Sequence, residues 1–159
     1  MHETGLSFND RSGDRLRTWL GLDRDSFYDE ARVAIMPIGF CYPGRHGKGS
    51  DLPPRHECAR LWHARLRAVL PAIELTLLVG SYAIAYYLPR PADARSMARI
   101  IARWRDYLPE FLVLPHPSWR TVRWQRDNPW FEIEILPELR ARVDRALTPR
   151  SRSAPCPRR

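Results

Sequence analysis

The chain has 159 residues, enough for one domain that buries roughly two thirds of its unfolded surface. It has no apolar run near the ~18 residues that span a bilayer and no apolar leader core at its start, so we expect a cytoplasmic, monomeric protein outside the membrane. Three cysteines exclude a disulfide framework, and 26 Lys+Arg against 18 Asp+Glu leave a net charge of +8, which favours a polyanionic partner over an acidic or neutral one.

Lys48 is the single lysine, so nearly all the positive charge is arginine. Its planar fork suits phosphates and base edges, although a GC-rich genome would enrich Arg in the same way. Ser12 is the expected N-cap of a short helix that carries Leu16, Trp19 and Leu20 on one face and stops at Gly21. Residues 32–41 are apolar and bounded by charge and a Tyr-Pro-Gly turn, which predicts a buried strand interrupted by Pro37; residues 42–53 follow as a loop. Pro53 and Pro54 are placed to open a helix with Cys58, Leu61, Trp62, Leu66 and Val69 along its apolar face, ending by Pro71.

Residues 73–80 form a continuous apolar stretch ending in Gly80, as central parallel strands do, and residues 81–88 predict a helix. After the break at Pro89 to Pro91, Met97, Ile100, Ile101 and Trp104 fall at helical spacing within 93–107. Residues 110–118 predict a last short strand that empties into a proline-bracketed loop, and 121–147 predict helix with a break at Asn128-Pro129. Strands alternating with helices imply a three-layer α/β/α sandwich around a short, mainly parallel sheet over residues 1–147, followed by a disordered basic tail at 148–159.

In such sheets ligands collect at the carboxyl ends of strands, which directs attention to the loops after residues 41, 80 and 117. His116 lies between Pro115 and Pro117, so it can sit in neither a regular helix nor a central strand, and its imidazole is aimed from a stiff loop. That stiffness suits a catalytic group; a surface histidine in a proline-rich turn is the plainer alternative. Cys41 and Cys58 are seventeen residues apart and are either small core hydrophobes or metal ligands.

Leu114-Pro115-His116-Pro117-Ser118 is similar to the His-Pro-Ser motif that closes the last strand in the uracil-DNA glycosylase superfamily. Gly5-Leu6-Ser7-Phe8, followed by Ser12-Gly13 and Leu16, resembles the family segment whose aromatic ring stacks on a flipped base. Leu77-Leu78-Val79-Gly80 resembles the strand before the third loop, and the similarity runs in order from about residue 3 to residue 145. Cys41-Tyr42-Pro43-Gly44 resembles a cluster-ligand context of the iron-sulfur branch.

The resemblance implies a base-excision repair enzyme that flips uracil or a related damaged base out of DNA and removes it, with His116 catalytic and Phe8 binding the base. It assigns Ser118, Trp119, Arg120 and Arg123 to DNA, with Arg45 and Lys48 as further phosphate contacts; Trp119 is either a wedge in the vacated stack or a packing residue at a helix start. Cys41 and Cys58 would be two of the four thiolates of a 4Fe-4S cluster, held in a longer form. Relative to the family pattern, a Gly-rich first catalytic loop and a Cys-x-x-Cys pair should precede His2, so the resemblance implies an N-terminally incomplete, inactive domain lacking its first strand. Met36-Pro37-Ile38-Gly39 stands where a uracil-reading Asn is often carried. A catalytically silent DNA-binding module of the same fold is the competing function; a nucleotide-binding enzyme is disfavoured because no Gly-x-Gly-x-x-Gly or Walker loop follows a strand.

Overall fold

The computed structural model describes residues 5–45, 47, 51–88 and 96–148. Helix α1 (Arg11–Leu20) is capped by Asp10, whose side chain accepts from the Gly13 amide at 3.0 Å, so the cap lies two residues before the expected Ser12. Leu16, Trp19 and Leu20 are buried as their spacing predicts, and Gly21 closes the helix in the left-handed conformation at φ 70°. A single-turn helix α2 (Arg24–Phe27) follows, capped by Asp23.

Residues 32–41 do not form the expected strand, and only Ile38 among them is buried. Pro37 has no N–H to give a ladder, and its carbonyl is instead taken by a side chain, the His63 Nε2 at 3.1 Å. Helix α3 (His56–Ala68) begins after the two prolines rather than on them. Its apolar face also differs from expectation: Leu61, Trp62 and Val69 are exposed, whereas Ala59 and His63 are buried. A carbonyl can only accept, so His63 carries its proton on Nε2, and its Nδ1 accepts from the Tyr87 hydroxyl at 2.7 Å. Both ring nitrogens being satisfied, the imidazole packs among Phe40, Tyr86 and Tyr87 without an unmet polar group.

Strands β1 (Thr76–Val79) and β2 (Phe111–Leu114) pair in parallel with Thr76 opposite Phe111 and Val79 opposite Leu114. They form a two-stranded sheet, shorter than the three apolar segments implied, within a small α/β fold. All four β2 residues are buried, each contributing roughly 1.5–3 kcal/mol, which is why this segment holds the centre while 32–41 does not. Helix α4 (Ser81–Tyr87) leaves β1 directly, and α5 (Met97–Ala102) with a 3₁₀ turn (Trp104–Tyr107) leads into β2.

Helix α6 (Thr121–Asp127) ends at the expected Asn128-Pro129 break, and a π-helical turn (Phe131–Ile135) runs into α7 (Leu136–Leu147). Pro137 lacks the N–H that would bond back to Ile133, a local reason for the wide turn before it. Phe131, Ile135, Leu139 and Val143 recur every four residues as one buried stripe. Trp19 meets Phe131 edge-on at 5.1 Å, and Arg140 donates to the Thr18 and Trp19 carbonyls at the end of α1, fixing α1 against α7. The basic tail lies outside the described residues, apart from Thr148. Among the described residues no helix is long and apolar enough to cross a membrane.

Candidate active site

The parallel register delivers two loops to one end of the sheet. The Gly80 amide donates to the Leu114 carbonyl at 2.9 Å, carrying the ladder one step past Val79. Gly80 then turns at φ 86° to cap α4, a conformation that favours glycine. A Cβ at this position would lie 3.2 Å from the His116 Cβ and 3.4 Å from its Cδ2, so the absent side chain is what lets the imidazole sit against the backbone.

On the β2 side, Pro115 and Pro117 are buried and His116 between them is exposed, so the prolines act as anchors and the histidine as the group presented. The loop is pinned through carbonyls. The Thr121 hydroxyl donates toward His116 O at 3.0 Å and Ser118 O at 2.7 Å, and the Arg15 guanidinium reaches Ser118 O at 2.8 Å from α1. Arg15 and Thr121 were not singled out in the sequence, because a side chain that binds a distant carbonyl leaves no spacing signature.

Phe8 reaches the same place from the amino-terminal turn. Its ring centroid lies 6.2 Å from that of His116 with the planes 33° apart. Its backbone is left-handed at φ 58°, unusual for a bulky residue. Gly13 sits so close beneath the Phe8 carbonyl that any side chain there would overlap the oxygen. Thus Phe8, Gly80 and His116, far apart in the chain, share one surface at the carboxyl end of the sheet.

Packing against Phe8 and Gly80 strips water from the inner side of the exposed imidazole and pushes His116 below its ordinary value of 6.5; the carboxylate of Asp10 pulls weakly in the opposite direction. The ring is therefore predominantly neutral at pH 7, with one nitrogen donating and one accepting.

Trp119 stands 76% exposed next to His116's loop, which removes the packing alternative for it. The Arg120 guanidinium lies 5.6 Å from its ring, and Arg123 is exposed on α6 with Asp127 at 3.7 Å. Arg45 is engaged within its own loop, 3.4 Å from Asp51, whose other neighbour is the Tyr42 hydroxyl at 2.8 Å. Lys48 lies outside the described residues.

Cys41 is exposed and Cys58 half-buried, both as free thiols. Among the described residues no three His, Cys, Asp or Glu side chains group where a metal could be held. A four-iron cluster needs four ligands, so these residues do not by themselves fit one. Two shallow clefts, of about 560 and 460 Å³, lie beside Trp104 and beside Trp19, and His116 lines neither of them. The family model of the uracil DNA glycosylase superfamily matches residues 1–140.

Proposed function

The chain belongs to the uracil-DNA glycosylase superfamily, and from that premise we propose that it recognises an extruded uracil or related damaged base in DNA and cleaves its N-glycosyl bond. The observation that carries this is the meeting of the Phe8 ring, the Gly80 turn and the His116 imidazole at the end of the parallel sheet. An extruded base offers a flat face and a polar edge. Phe8 supplies a stacking surface for the face, and the neutral His116 supplies an N–H for a carbonyl oxygen on the edge.

Cleavage breaks the bond between the sugar's anomeric carbon and the base nitrogen, leaving positive charge on the sugar and negative charge on the departing base; a water oxygen then bonds to that carbon, and the proton which the water gives up balances the one taken up by the base anion. A donor aimed at the base oxygen acts where the negative charge grows, and one such donor is typically worth about 3–4 kcal/mol. A neutral imidazole can fill this role because it still carries one N–H to donate to that oxygen. Ser118, Trp119 and Arg120 lie next to it on the loop, and the exposure of the Trp119 ring beside the Arg120 guanidinium supports reading Trp119 as the wedge and this loop as the grip on phosphate. Cys41 and Cys58 remain candidates for cluster ligation only together with ligands outside the described residues.

A second reading is a DNA-binding module without chemistry. It is favoured by the exposure of Trp119, Arg120 and Arg123, a surface that grips DNA whether or not a bond is broken. Incubation with uracil-containing single- and double-stranded oligonucleotides separates the two: abasic sites establish the glycosylase, and binding without abasic sites establishes the module.

A further inference from the structure

Residues 7–10, the turn that carries Phe8, are tethered one after another to the α1–α2 hairpin. The Tyr28 hydroxyl donates to Ser7 O at 2.8 Å, Arg17 Nη1 to Phe8 O at 3.4 Å and Arg24 Nη1 to Asn9 Oδ1 at 2.9 Å, while Asp10 accepts from Gly13 N. Arg17 is the unusual member. It is a charged side chain only 8% exposed, and core packing alone would be better served by an apolar residue, since a buried guanidinium must find partners for its donors.

Those partners define a task. The Asp14 carboxylate accepts from Nη2, and the guanidinium carbon lies over the Phe27 and Tyr28 rings, 5.6 and 5.8 Å from their centroids. Its Nη1 donates at 3.4 Å to the carbonyl of Phe8, the one non-glycine residue with positive φ among those described. With the Gly13 backbone close beneath the same oxygen, that carbonyl is gripped from two sides.

We propose that Arg17 is a positioning residue for base capture: clamped by Asp14, Phe27 and Tyr28, it locks the Phe8 carbonyl and so holds the left-handed turn that presents the Phe8 ring beside His116. This rests on the glycosylase reading for its purpose, but the structural lock stands apart from it. Arg17 touches neither base nor DNA; it acts through Phe8. Tyr28 is its companion, seating Arg17 with its ring and Ser7 with its hydroxyl.

The test uses the full chain with Arg17→Met, which keeps the stem and removes the donors, and Arg17→Lys, which restores one donor. By NMR, contacts between the Phe8 ring and His116 ring protons should vanish in Arg17→Met and return in part in Arg17→Lys. In single-turnover excision of uracil, Arg17→Met should raise the half-saturating concentration about tenfold, as loss of one stacked base does, with a smaller change in the rate at saturation. Unchanged Phe8–His116 contacts in a folded Arg17→Met chain would overturn the proposal, as would an equal fall in rate with no change in half-saturation. Should Arg17→Met not fold, the same contacts are read in Arg17→Lys and Tyr28→Phe, where weakening supports the lock and wild-type intensity overturns it. If the wild-type chain excises no uracil, the glycosylase reading falls, while the NMR contacts still decide the lock.

Discussion

At the scale of single residues, the chemistry proposed here concentrates on His116, whose environment makes two measurable commitments. Titrated by NMR, its imidazole should have a midpoint below 6.5, because desolvation outweighs the attraction of Asp10. Asp10→Asn keeps the helix cap, since Asn caps as well as Asp, but removes the charge, so the midpoint should fall further; a midpoint that rose would contradict this account. The linked stability has a definite sign. A histidine whose folded value is depressed resists the proton that the unfolded chain accepts, so its contribution is lost as pH falls from about 6.5 toward the folded value and is constant above. His116→Ala should lower the single-turnover excision rate by about a hundredfold or more while leaving DNA affinity nearly intact, since the donor acts on charge present mainly in the transition state. Equal loss of affinity with an unchanged rate would remove it from that role.

At the scale of elements, the strand ends and turns were largely legible and the side-chain partnerships were not. The apolar runs at 73–80 and 110–118 marked β1 and β2, and the proline bracket around His116 marked a stiff loop, because these signals are local. The run at 32–41 looked equally apolar yet formed no strand, since the difference lay in what would pair with it. Helix α3 inverted expectation for a similar reason: His63 reads as polar, but Tyr87 and Pro37 satisfy both its nitrogens and make it the buried face. His63→Ala should therefore cost about 2–4 kcal/mol in denaturant unfolding, combining a cavity with an unpaired hydroxyl and carbonyl. Gly80→Ala should cost about 1–2 kcal/mol and also depress excision, because a methyl at φ 86° is strained and would press on His116. A variant as stable and active as wild type would show that the Gly80–His116 contact is not needed.

At the scale of the whole molecule, a net charge of +8 with its cations almost wholly arginine predicts that the proposed DNA binding is salt-sensitive. The logarithm of affinity should fall with the logarithm of salt by about 0.9 for each phosphate neutralised on duplex DNA, and replacing both Arg120 and Arg123 by Gln should flatten that slope by up to about 2. Affinity that stayed flat with salt would leave the basic surface without this role. Composition, apolar periodicity and proline and glycine placement by themselves determined the α/β class, the order of most elements and the loop that presents His116, because each is written in neighbouring residues. Only the tertiary structure decided that Phe8, Gly80 and His116 share one surface, that Arg15 and Thr121 pin the loop, and that Trp119 stands in solvent. Such contacts join residues more than a hundred positions apart, as Arg15 and Ser118 are at a separation of 103, and distance along the chain carries no information about which carbonyl a guanidinium will find once the sheet and helices have packed.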